Sequence, residues 1–236
     1  MKLTRKVTNK VYICYNTPME NLAKIFDSSA RVKMMRLFLF NPTMPFDVSD
    51  VTKRSKITSS VARRELNILF KTGFLKKKTF TKEITIKPRK STAKKKPKTS
   101  KPPVIKKKKA NGWILDTAFP LVKPLENLLI DAELVKTKDL HKRFKGNGSI
   151  KMLVLSGIFM KDNERSTDMM IVGDKMDMKK LESTMKILES EVGKELRYTV
   201  FTPQEFAYRM EMYDQHLLDV FESPHQRLVD KIGVTI

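Results

Sequence analysis

Between residues 58 and 67 the chain reads TSSVARRELN. Ser59, Ser60, Arg63, Arg64 and Asn67 fall on the side of a helical period that opposes an apolar stripe of Ala62, Leu66, Leu69 and Phe70. Hydroxyls and guanidinium forks one turn apart suit phosphate oxygens and the O6/N7 edge of guanine. Lys53, Arg54 and Lys56 precede this segment, and Lys76, Lys77, Lys78 and Lys82 follow it. Residue types for covalent or metal chemistry are scarce. Cys14 is the single cysteine, and His141, His216 and His225 are scattered without ligand spacing. No disulfide framework, zinc site or cofactor is therefore expected.

The charge is divided in the same way. Residues 1–86 hold eighteen basic and six acidic side chains, and residues 87–109 hold twelve basic and none acidic. Residues 111–236 hold eighteen basic and twenty acidic ones, a net of −2, so the first part more than accounts for the overall net charge of +22. Such a field attracts nucleic acid or an anionic membrane surface, and it concerns binding rather than fold. No apolar run approaches the roughly 20 residues that span a bilayer. The basic start MKLTRKVTNK is not followed by an apolar core and a small-residue cleavage site, which argues against a signal peptide. A reducing cytoplasm is the expected compartment. A length of 236 residues with 40% hydrophobic residues predicts one large or two medium domains with at least one core.

The elements that must position the polar face are legible from period and caps. Residues 19–41 predict a helix that Ser28 or Ser29 can cap and that ends before Pro42. A short helix over 49–54 follows, then a turn over 55–58 with Thr58 as N-cap, and a helix over 59–72. Gly73 closes that helix, and residues 74–87 alternate as a strand. In this order, the blocks SSARVKMMRLFLFNP and VSDVTKRSKITSSVARRELNILFKTGFLKKKTF resemble the ArsR-like winged helix-turn-helix regulators, from residue 28 to residue 80. The resemblance implies that residues 59–71 are a recognition helix for the major groove of double-stranded DNA. Arg63 or Arg64 would then fork onto guanine. Thr58, Ser59, Ser60 and Asn67 would hold phosphates or base edges, with Lys53, Arg54, Lys56, Lys76, Lys77, Lys78 and Lys82 along the backbone.

Residues 87–110 admit three readings. Their Pro, Ser, Thr and Lys content fits an interdomain linker. KKKPK also has the look of a nuclear-import signal. The apolar stretch Trp113, Ile114 and Leu115 favours the third reading. It can pair with the strand before residue 87, which makes the Lys tract the enlarged tip of a wing and a source of salt-dependent affinity.

In the near-neutral half, helices are expected over 119–131, 137–145, 179–192 and 203–213, with Pro203 at the first helical position. Strands are expected over 150–155, 169–172 and 196–201. Residues 212–236 read as a helix broken at Pro224 and continued by Leu228, Val229 and Ile232, completing the core or forming a dimer seam. The stretch SGIFMKDNERSTDMMIVGD resembles the nucleotidyltransferase fold's signature. That family needs paired carboxylates to hold two divalent cations against a triphosphate. Here Asp168 matches the second of the pair and Ser166 stands where the first belongs, so an inactive domain is implied.

The expected protein is of the α+β class. A winged helix-turn-helix domain spans 19–118 with a Lys-rich wing-tip insertion at 87–110, and a small nucleotidyltransferase-like α/β domain spans 119–236. Its expected function is sequence-specific DNA binding in transcription regulation, in a nucleoid-associated cytoplasmic protein that is not an enzyme and can form a homodimer. The competing readings are a nucleotidyltransferase-like enzyme or antitoxin, and an RNA binder that uses the Lys tract on shape.

Overall fold

The computed structural model describes residues 18–86, 104–131, 134–135 and 137–233. It is a mixed α+β protein, with two sheets among the described residues. Cys14 and residues 87–103 of the Lys tract lie outside the described residues.

The first half is built from four helices and a hairpin: α1 (Pro18–Ile25), α2 (Ser29–Phe40), α3 (Val48–Ser55), α4 (Ser59–Lys71), β1 (Leu75–Ile86) and β2 (Val104–Leu115). The single helix expected over 19–41 is two. Asp27 sits at φ 54° between them, and Ser28 Oγ accepts from the Arg31 amide at 3.1 Å to cap the second. A sequence period runs through the break because α1 and α2 present apolar residues to one core. Asp47 and Asp50 form a capping box on α3. Lys56, at φ 53°, ends that helix and turns the chain into α4. Val32, Phe38, Val51, Leu66, Phe74 and Leu115 are among the side chains that form the core.

β1 and β2 pair antiparallel from Leu75↔Leu115 to Ile86↔Val104. Residues 104–110 of the region read as a wing tip are therefore strand, with Lys106, Lys107, Lys108 and Lys109 in register with Ile84, Glu83, Lys82 and Thr81. The physical reason is register. An exposed two-stranded ribbon needs no apolar alternation, so backbone pairing can carry lysines into it despite their lower strand preference. Phe46 pairs with Trp113 along the outer side of β2. A Cβ on Gly112 would lie 2.4 Å from the Phe46 carbonyl oxygen, which ties that close approach to glycine.

The second half begins with α5 (Val122–Leu129) and α6 (Thr137–Arg143). The sheet order is β5-β4-β3-β6, comprising β3 (Ser149–Leu155), β4 (Met169–Asp174), β5 (Tyr198–Phe201) and β6 (Gln226–Asp230). β4 and β5 are parallel, and the other pairs are antiparallel. Leu153, Leu155, Met169 and Ile171 pack with α6 and α7 (Met178–Val192), while Met152, Val154, Met170 and Val172 pack with α8 (Pro203–Glu211) and α9 (Gln215–Glu222). Both faces of the central strands are thus covered, which explains their continuous apolar runs. The expected helical continuation at Leu228 and Val229 is instead the edge strand β6, paired antiparallel with β3. Pro224 ends the helical course, and the four residues from Arg227 to Asp230 are too few to distinguish a helical period from a strand. Leu217, Val220 and Phe221, candidates for a dimer seam, are core residues.

The two halves meet at α2 and α7. Arg36 of α2 is fully buried and donates to the carbonyls of Leu129 (2.9 Å), Leu134 (3.1 Å) and Glu191 (2.8 Å). Burial pushes its pKa down to about 10 against the opposing attraction of Glu191, so it remains charged at neutral pH. The Glu191 carbonyl belongs to the last turn of α7, the negative end of the helix dipole. Among the described residues no helix is long and apolar enough to cross a membrane.

Candidate nucleic-acid interface

α4 buries Ala62, Glu65, Leu66 and Leu69 and leaves Ser59, Ser60, Arg63, Arg64, Asn67 and Lys71 exposed. The burial pattern follows from the 3.6-residue period, with one correction. Phe70 was assigned to the apolar side, yet it is exposed, and Lys77 Nζ lies 5.1 Å from its ring centroid. Glu65 is the unexpected buried charge. It accepts from Arg31 Nε at 2.8 Å, Ser28 Oγ at 3.2 Å and Arg64 Nη2 at 3.3 Å, which docks α4 on the start of α2. Arg63 points away from this network and has no acidic partner among the described residues.

Thr58 occupies the N-cap position of α4, but its side chain makes no capping bond. Its Oγ1 instead lies 3.2 Å from Ser60 Oγ on the exposed surface. The first turn of α4 therefore presents backbone N–H groups and three hydroxyls to solvent, with no acidic residue within the turn itself. Ser59 and Arg63 border an open groove of about 470 Å³, together with Asp47, Val48, Ser49, Thr52 and Lys53 of the α3 side and Asn111 of β2; the Asp47 carboxylate is held by Lys82. Asn111 was missed in the sequence. It reaches the groove only through the hairpin register, opposite Thr79, whose Oγ1 donates to its Oδ1 at 3.0 Å. No local pattern signals that placement.

The remaining basic residues divide into free and occupied. Lys53, Lys56 and Lys78 are exposed. Lys76 pairs with Asp116 at 3.3 Å while remaining largely exposed. Two residues are not free for a backbone contact. Arg54 reaches across to Glu195 at 2.9 Å, with its guanidinium 5.2 Å from the Phe46 ring centroid. Lys82 donates to both Asp47 (3.1 Å) and Asp50, bracing the hairpin on the capping box of α3. Burial raises the Asp47 carboxyl, but the Asp50 amide and the Lys82 ammonium outweigh it and hold its pKa below the usual value. Burial opposes the Lys82 charge, yet its hydrogen bonds to both carboxylates leave its pKa raised. Those partners lie more than thirty residues away in sequence, which is why composition gave no sign of them.

The second region singled out by chemistry is closed. Asp168 is fully buried, and its Oδ1 accepts from the Ile158 amide (3.0 Å) and Arg197 Nη2 (3.0 Å). Its Oδ2 accepts from the Arg197 amide (2.9 Å) and Nε (3.1 Å). The hydrogen bond to Asp168 raises the Arg197 pKa. Ser166 Oγ donates to Asp219 at 3.0 Å, away from Asp168's donors. Four donors of this chain occupy the carboxylate, so Asp168 clamps the start of β5 to the turn after β3. Among the described residues no three His, Cys, Asp or Glu side chains gather as a metal site would require. No protein-family model, curated protein or solved structure matches the chain.

Proposed function

We propose that the chain binds double-stranded DNA as a winged helix-turn-helix regulator, with α4 in the major groove and the β1–β2 hairpin along the phosphate backbone. The observation that carries this reading is the exposed face of α4. Ser59, Ser60, Arg63 and Asn67 form an exposed helix face with no carboxylate of its own, bordered by Lys53 and Asn111. An α-helix fits the major groove, and its N-terminal residues reach base edges while hydroxyls and amides hold phosphates. Arg63 is the base-reading residue, because its guanidinium is exposed and unpaired, whereas Arg64 shares Glu65. Lys53, Lys56, Lys76, Lys77 and Lys78 supply backbone affinity. Arg54 and Lys82 hold the domain in shape.

The second half is a nucleotidyltransferase-like scaffold without that chemistry, in which Asp168 is a clamp rather than a metal ligand. It carries the regulator's α2–α7 support and leaves the interface on the first half.

The test is selection of bound fragments from a random duplex library with the full chain at ~150 mM salt, where exposed-charge attraction is screened beyond about 8 Å. Enrichment of one sequence class is expected. Equal recovery of all duplexes, or preference for structured RNA over every duplex, would overturn the reading.

A further inference from the structure

The end of α3 and the end of α7 enclose a cavity of about 350 Å³, within the size range of small-molecule sites. Lys53, Arg54, Ser55 and Lys56 border it on one side, and Lys186, Glu189 and the segment 193–195 on the other, with Leu37 contributing apolar wall. Several of these groups are already engaged. Arg54 is bound to Glu195 at 2.9 Å, Lys186 to Glu182, and Glu189 accepts from the Leu196 amide at 3.0 Å. Lys53 and Lys56 have no carboxylate partner among the described residues. Lys194 has Asn163 Oδ1 at 3.3 Å and the Phe40 ring centroid at 6.0 Å, neither of which neutralises it. Burial pushes the Lys194 pKa down and, together with Glu195, the Glu189 pKa up. Burial is the first cause of both shifts, and Glu189 and Glu195 place two carboxylates on the same lining as the lysines. Ser55, a wall residue, is buried, and its Oγ has no hydrogen-bond partner. An orphaned buried hydroxyl is uncommon.

We propose that this cavity binds a small molecule carrying an anionic group on an apolar body. Lys56, Lys194 and Lys53 take the anion, and Leu37 and the aliphatic lysine stems pack on the body. Lys53 also borders the groove beside Ser59 and Arg63. A bound anion therefore draws on a cation that duplex DNA also uses, so ligand and duplex weaken each other reciprocally. That consequence rests on the proposed function, whereas binding in the cavity does not.

The probe is 1-naphthyl phosphate, with 1-naphthol as its neutral counterpart, titrated into the ¹⁵N-labelled full chain. Saturable shifts of the Ser55 and Gly193 amides are expected with the phosphate and not with the naphthol. The double variant Lys56→Ala/Lys194→Ala, with its other resonances unmoved, should bind about tenfold or more weakly, the scale of lost charged hydrogen bonds. Lys231→Ala should bind as the parent does. No shift, shifts confined to the hairpin lysines, or equal binding of naphthol would overturn the site. In a duplex-binding arm, a saturated cavity that leaves duplex affinity unchanged removes the competition. A chain that binds the phosphate at Ser55 and Gly193 but no duplex at any salt leaves the site standing and defeats the proposed function.

Discussion

The face of α4 and the surroundings of Asp168 handle charge in opposite ways. At Asp168 a buried carboxylate is matched by four donors from the same chain, two of them on the side chain of Arg197. On α4 and its flanks, Arg63, Lys53 and Lys56 stand exposed and form no ion pair with a carboxylate among the described residues. Matched charge in a protein holds its own shape; unmatched charge on one surface is available to something outside. The acidic residues of the first half reinforce the contrast. Asp47, Asp50 and Glu65 are spent on caps and docking, bound by Lys82, Arg31 and Arg64, so even Asp47, which borders the groove, is already paired.

The contrast is most strongly tested by Asp168→Ala. It strips the partner from Arg197 and orphans two amides, so unfolding in urea should show a loss of about 3 kcal/mol. A loss under about 1 kcal/mol would mean that the matched cluster is not structural. Next in size is Arg63→Ala. It should cost about 2 kcal/mol of binding to the selected duplex and relax one base position, while stability stays within about 0.5 kcal/mol of the parent. Uniform weakening across all duplexes would demote Arg63 to a phosphate contact.

Lys82→Met should destabilise the protein by about 1 kcal/mol at neutral pH, the scale of a partly buried ion pair. The pH dependence has a defined sign. The folded pKa of Asp47 is held below its unfolded value, so this stabilisation is present above about pH 4 and is lost as pH falls through the folded pKa. Denaturation curves of parent and variant should therefore converge in acid. The smallest effect compares two caps. Thr202 forms a capping box with Glu205 on α8, and Thr202→Ala should cost about 1 kcal/mol. Thr58 makes no capping bond, and Thr58→Ala should cost less than about 0.5 kcal/mol of stability. Equal losses would show that Thr58 caps α4 after all.

Local signals carried much of this architecture. Gly73 at φ 83°, the stops before Pro42 and after Val192, and the amphipathic stripe of α4 each follow from one or two residues in a row. The extent of β2 did not, because its lysines are held by register with β1 rather than by an apolar pattern of their own. β6 was read as helix because so short an edge strand carries no distinguishing period. At the interface, Ser59, Ser60, Arg63 and Asn67 were legible because a helix sorts its own faces. The engagement of Lys82 by Asp47 and of Arg54 by Glu195 was not, since it depends on which elements fold back on one another.

Arg36 has a consequence for how the molecule comes apart. Its guanidinium belongs to α2 but takes its acceptors from Leu129, Leu134 and Glu191, all beyond the hairpin. Peeling the second half away would strip Arg36 of all three of these acceptors at once and expose the apolar surface packed around it, so neither half is left with its own core contacts intact. Heating or denaturant should therefore melt both halves in one cooperative transition, with Trp113 fluorescence and the far-ultraviolet signal of the whole chain sharing a midpoint.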